Sequence, residues 1–227
     1  MEIYVIIPAF NEALSIDKVI REIPSFVKEI IVVDNNSNDK TAQIAAESGA
    51  TVLKEHRQGY GFACLAGIAY LAKKSPDIVV FLDAAYSDYP EEMALLVEPI
   101  LVNDFDMVIG SRALGKRENK SMTPQQLFGN WLATRLMYLF FKVKYTDLGP
   151  FRAIKYHQLI AMKMQDTTYG WTVEMQLKAA KMGMKITEVP VSYRQRIGVS
   201  KVSGTVKGTI MAGYKILGWI FKYALSK

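Results

Sequence analysis

Residues 77–90 read DIVVFLDAAYSDYP: an unbroken apolar run from Ile78 to Leu82 stops at Asp83 and gives way to small and turn-forming residues up to Pro90. A run apolar at every position, not at every second one, is the pattern of a strand covered on both faces, as in a parallel sheet. Open parallel sheets bind ligands beyond the carboxyl ends of their strands, which is where Asp83 falls. The question the stretch raises is chemical. A strand-end metal site would want Asp-Ala-Asp, and the third position is Ala85.

Working outward, the same unit recurs. Ile3 to Ile7 is a short β-branched run ended by Pro8, and ALSIDKVIREI follows with Leu14, Ile16, Val19, Ile20 and Ile23 near a helical period. EIIVVD (29–34) is a strand ending on Asp34, KTAQIAAESG a helix closed by Gly49, and ATVLKE a third strand. A glycine-punctuated loop opens into the helix FACLAGIAYLAKK, and DMVIGSR (106–112) is a fifth strand after 77–83. Strands alternating with helices predict an α/β fold, a Rossmann-like, mostly parallel sheet with helices on both faces. Pro8, Asp34 and Asp83 then share one edge.

Beyond residue 115 the pattern changes. TPQQLFGNWLATRLMYLFFKV predicts a long apolar helix with Thr123 as its cap, Pro124 at its first position, and Arg135 and Lys142 on one face. YTDLGPFRAI reads as a loop, GWTVEMQLKAAKMG as a helix ending at Gly183, and KITEVPVSYRQR as a strand whose Pro190 places it at an edge. From about Val206 a second apolar helix carries Lys207, Lys215 and Lys222 in one sector, the pattern of a helix lying on a membrane surface. The 227 residues fit one main domain, 1–205, with 206–227 as a C-terminal amphipathic helix. The two apolar helices are expected to groove a lipid chain, to pack together, or to meet a second copy in a homodimer.

The formal charge of +6 favours anionic partners. No base-stacking module or regular basic stripe accompanies it, so nucleic acid is not expected. One cysteine, Cys64, rules out a disulfide within the chain and reads as a buried helix residue. The N-terminus has no basic region before its short apolar run, so a cytoplasmic protein, peripheral at most on the cytosolic membrane face, is expected.

Glu12, Asp34 and Asp83 at strand ends do not make a zinc site, because His56 and His157 stand alone and there is one cysteine. Oxygen ligands suit Mg²⁺ or Mn²⁺, which pair one or two carboxylates with substrate phosphates. Asp88 is a displaced substitute for the missing carboxylate or, equally, a cap for the helix beginning near Pro90.

VIIPAFNE, VVDNNSND, Arg57-Gln58-Gly59-Tyr60-Gly61, FLDAAYSDYP, IGSR and TDLGPFRA, in that order, resemble the family 2 glycosyltransferases of GT-A fold, and within them the dolichyl- or polyprenyl-phosphate mannose and glucose synthases. The resemblance spans nearly the whole chain. It implies an inverting transfer of a hexose from a nucleotide sugar donor of UDP-glucose or GDP-mannose type to polyprenyl phosphate. A soluble hydroxyl acceptor, or nucleotide-sugar binding without catalysis, are the alternatives. Pro8, Glu12 and Asp34 would hold the base and ribose. Asn35 stands where the family often has a second Asp. Arg57 belongs to the matched glycine loop and would help bind the donor. Asp83 would bind donor and metal as the first carboxylate of the DxD motif. Arg112 and Arg152 would face phosphate, Arg196, Ser200 and Lys201 would close over the diphosphate, and Asp147 or Glu174 would be the base for a hydroxyl acceptor. Ala85 departs from the motif. The intact remainder favours an inactivating Asp→Ala change over neutralisation by Lys and Arg or a protein that only binds.

Overall fold

The computed structural model describes residues 1–198 and 206–225. Seven strands form one sheet: β1 (Ile3–Ala9), β2 (Glu29–Asp34), β3 (Thr51–Lys54), β4 (Ile78–Phe81), β5 (Met107–Ser111), β6 (Arg152–Lys155) and β7 (Ile186–Pro190). Their order is β3-β2-β1-β4-β6-β5-β7. All pairings are parallel except those of β6, which runs antiparallel to β4 and β5.

Alternate side chains explain the two apolar layers. Tyr4, Ile6, Ile31, Val33, Val79 and Phe81 face one side, where they meet α3 (Tyr60–Leu71), α5 (Pro124–Phe141), α7 (Trp171–Lys181) and α8 (Val206–Leu225). Val5, Ile7, Val32, Ile78 and Val80 face the other, under α1 (Ile16–Arg21), α2 (Thr41–Glu47) and α4 (Met93–Asn103). The short helix α6 (Tyr156–Met162) follows β6. Cys64 is fully buried on α3, and both histidines face solvent.

Three expectations change. The stretch read as a loop from Tyr145 to Ile154 ends in β6, inserted at the sheet centre. Its four residues lie between turn formers and a helix, too short a run for periodicity to reveal. Pro8 does not end β1, which continues to Ala9 with Pro8 in register with Val33; the β1–β4 ladder closes at Ile6 and Phe81, so the missing proline N–H falls beyond it. Asp88 caps nothing: a 3₁₀ turn (Pro90–Glu92) precedes α4, and its cap position is Tyr89, with no side-chain hydrogen bond.

At α5 the expected cap is a reciprocal box. Thr123 Oγ1 accepts from Gln126 N at 3.2 Å, and Gln126 Oε1 accepts from Thr123 N at 2.8 Å. Thr123→Ala should therefore cost about 1 kcal/mol of stability in a urea melt; an unchanged midpoint would mean the box contributes nothing. The tail helix packs on α5 and α7: Ile220 is fully buried, Phe140 meets Phe221 edge to face at 5.8 Å, and Trp219 Nε1 donates to Asp166 Oδ2 at 2.6 Å.

Candidate active site

The ends of β1, β2 and β4 bring Glu12, Asp34 and Asp83 to one edge, as parallel register requires. Asp34 is nearly buried and accepts from Ser37 N at 3.3 Å. Asn35 does what an aspartate at its position could not. Its amide donates to the carbonyls of Glu55 (3.2 Å) and Arg57 (2.7 Å), while its oxygen accepts from Gly59 N at 2.8 Å. The 55–59 loop is thereby tied to β2. Gly59, at φ +151°, must be glycine, since a Cβ there would stand 2.2 Å from the Thr167 carbonyl oxygen. Arg57, mostly exposed, forms a two-point pair with Glu55, and its hydrogen bonds pull the Glu55 carboxyl down to about 2.

Asp83 is half-buried, and its Oδ1 accepts from Ala85 N at 3.1 Å. The next residues turn sharply, with Tyr86 at φ +62°, a left-handed conformation costly for an aromatic side chain. Arg194, a residue that sequence reading passed over, holds that turn. Its guanidinium lies between the rings of Tyr86 (3.3 Å) and Tyr89 (4.2 Å), donates to the Tyr86 carbonyl at 2.8 Å and pairs with Glu22 at 2.6 Å. Backbone bonds from Arg194 N to Ser87 O and from Ile197 N to Ala85 O complete the seam. Its one signal in the sequence is the YRQR run, in which Arg196 drew the attention.

The seam carries Asp88 inward. It is 1% exposed, and neither carboxylate oxygen has a hydrogen-bond partner. Burial, with the nearby charge of Asp83 second, pushes its carboxyl up to about 7.

Several expected roles meet a different geometry. Arg112 does not face an open phosphate site. It is buried and forks onto Asp147, with Nε to Oδ2 at 2.7 Å and Nη2 to Oδ1 at 2.6 Å, while its backbone N–H adds a third bond at 2.8 Å. Burial alone would raise the Asp147 carboxyl, but the Arg112 charge and these bonds outweigh it and hold it below the usual range. Asp147 is therefore a poor proton acceptor. Glu174 is fully buried; its oxygens accept from Gln165 N and Asp166 N and pair with Lys178 at 2.7 Å, leaving no face for an acceptor hydroxyl. Arg152, also fully buried, donates to the carbonyls of Thr172, Leu148 and Gly149, so it braces the α7 and 148–149 backbone instead of reaching phosphate. Burial brings its guanidinium down to about 10. Arg196 does reach the edge: its Nη2 donates to Glu12 Oε1 at 2.8 Å, joining two expected donor contacts. Ser200 and Lys201 lie outside the described residues.

A cavity of about 660 Å³ opens between the end of β5 and α5, beside Asp147. Arg117, Arg135 and Lys144 supply positive charge, and Trp131 and Tyr138 form apolar walls. Elsewhere on its surface α5 exposes Phe128, Leu139 and Phe140, and α8 exposes Ile210, Tyr214 and Phe221. Among the described residues, no helix is long and apolar enough to cross a membrane.

A mixed sheet of this topology with acidic strand ends has the GT-A architecture. Residues 4–162 match the family model described as Glycosyl transferase family 2, and the chain belongs to that family. It is 35% identical to an uncharacterized glycosyltransferase of Mycobacterium tuberculosis over 92% of this chain and 93% of the relative. It is 30% identical to the undecaprenyl-phosphate mannosyltransferase of Micrococcus luteus over 92% and 90%. Among solved structures, glucosyl-3-phosphoglycerate synthase from Mycobacterium tuberculosis, in complex with Mn²⁺, UDP and phosphoglyceric acid, superposes with a TM-score of 0.77. That match covers 99% of this chain and 78% of the other at 21% identity, and it extends to the fold.

Proposed function

We propose that the protein transfers a hexose, with inversion, from a nucleotide diphosphate sugar of UDP-glucose or GDP-mannose type to polyprenyl phosphate at the cytosolic membrane surface. The observation that carries this reading is the basic, aromatic-walled cavity beside Asp147, on a part of the molecule where α5 and α8 also expose apolar side chains. Three cations suit a phosphate head, and the exposed apolar side chains suit its hydrocarbon tail and the bilayer around it. The occupied state of Asp147 and Glu174 supports the same acceptor. A hydroxyl must lose a proton to attack, whereas a lipid phosphate arrives as an anion and needs no base.

Glu12, Asp34 and the loop tied down by Asn35 are assigned to the nucleoside, with Pro8 in the floor of the site. Arg57 and Arg196 stand at its rim, and Arg196 would exchange Glu12 for the diphosphate when the donor binds. Ser200 and Lys201 keep their expected place in the same closure. A divalent cation, Mg²⁺ or Mn²⁺, would when bound offset the charge of the leaving diphosphate. Asp83 on this edge would hold it, and the methyl of Ala85 offers no ligand.

The test is transfer itself. Protein incubated with Mn²⁺ and radiolabelled UDP-glucose or GDP-mannose should move label into the organic phase with a short polyprenyl phosphate, and not onto free sugars, glycerol or phosphoglycerate. Label appearing on a water-soluble acceptor instead would overturn the lipid assignment.

A further inference from the structure

Asp88 presents an unexplained expense. A carboxylate that is 1% exposed with both oxygens unpartnered is among the costlier groups a protein can bury, and such groups are almost always paired or bound to a cation. It is not there by looseness of the loop: the Arg194 clamp, the Asp88–Tyr193 bridge and the backbone bonds from Arg194 and Ile197 fix the turn that delivers it.

The surroundings have the sign a metal site needs. Asp83, Asp147 and Glu92 lie near enough to act on Asp88 with like charge, and Arg112 with opposite charge. Arg194, which reaches this loop at the Asp88 carbonyl, is itself paired with Glu22. Arg112 does not relieve Asp88, because its fork is committed to Asp147. Two carboxylates, completed by diphosphate oxygens and water, are a sufficient protein contribution for Mg²⁺ or Mn²⁺.

We propose that Asp88 replaces the carboxylate missing at position 85 and, together with Asp83, holds the divalent cation of the donor site. The inference rests on reading the strand-end edge as the nucleotide-sugar site. Ala85 is then a relocation of a ligand, three residues along the same loop, and not a lesion. The clamp explains how a relocated ligand is held, since Tyr86 must stay in its left-handed conformation for Asp88 to point inward.

The experiment is Mn²⁺ titration followed by the electron paramagnetic resonance signal of the free ion, on the whole chain, alone and with UDP or GDP. Wild type should bind one Mn²⁺, more tightly with nucleotide. Asp88→Asn should weaken Mn²⁺ binding at least tenfold while its nucleotide affinity in EDTA stays within twofold, and Asp83→Asn should weaken Mn²⁺ binding by a similar factor. Unchanged Mn²⁺ affinity in Asp88→Asn overturns the proposal, as does a wild type that binds no Mn²⁺ beside an Ala85→Asp variant that does. Should Asp88→Asn fail to fold, wild type alone decides. Substoichiometric Mn²⁺ must broaden the Asp88 carboxyl resonance together with that of Asp83, and a sharp Asp88 signal refutes the assignment. Failure of both nucleotides to bind in EDTA would strike the donor-site reading instead, and the nucleotide-free titration would still judge Asp88.

Discussion

Replacing Glu174 by alanine should cost about 3–5 kcal/mol of folding stability, because it strands one half of a buried ion pair. Lys178, itself largely buried, would keep its bond to the Lys163 carbonyl at 2.6 Å but lose its counter-ion. The N–H groups of Gln165 and Asp166 would lose the carboxylate that gathers them at 2.7 to 3.1 Å. For a chain of this size such a loss lowers the melting temperature by roughly 10 °C. Glu174→Gln keeps one carbonyl acceptor and should fall between alanine and wild type. Thermal melts of both variants check this. A Glu174→Gln protein as stable as wild type but without turnover would restore the carboxylate to the role of base.

The largest catalytic effect is expected at the cavity proposed for the acceptor. Arg117 and Arg135 line it from the segment after β5 and from α5. Charge-assisted hydrogen bonds contribute about 1.5–3 kcal/mol each, and both residues are exposed, which trims that figure. The Arg117→Ala/Arg135→Ala double variant should therefore lose on the order of 10²–10³ in kcat/KM for polyprenyl phosphate. Donor affinity, measured separately by calorimetry, should move less than twofold, since neither side chain touches the nucleotide edge. A loss shared equally by donor binding would place these arginines on the wrong substrate, and no loss would remove the cavity from the reaction.

Much of this architecture was legible in the residues. Unbroken apolar runs at 29–34 and 77–83, each closed by an acid, revealed covered parallel strands, and Pro190 correctly marked an edge. Thr123 and Pro124 announced the start of α5. What failed to show was whatever depends on partners distant in sequence. β6 is a strand only because β4 and β5 flank it, and its four residues carry no period of their own. Asp147 and Glu174 looked like bases because a sequence shows a carboxylate but not Arg112 or Lys178 folded onto it. Arg152 looked phosphate-facing for the same reason. Asn35 looked like a departure from the usual Asp until its three bonds to the 55–59 loop gave the amide a purpose. Arg194 hid in plain view beside Arg196, since nothing local marks which of two neighbouring arginines stacks between tyrosines more than a hundred residues earlier.

The antiparallel placement of β6 has a consequence for how such enzymes diversify. The chain leaves the sheet at the end of β5 and re-enters beside it at β6, so everything between, including α5 and the cavity, is a cassette with both ends at one place. The Arg112–Asp147 fork pins its neck shut. A cassette closed at its neck can change length, charge or greasiness without disturbing the strands that carry Asp34 and Asp83, so one half of the molecule is free to explore new customers while the other keeps its supplier.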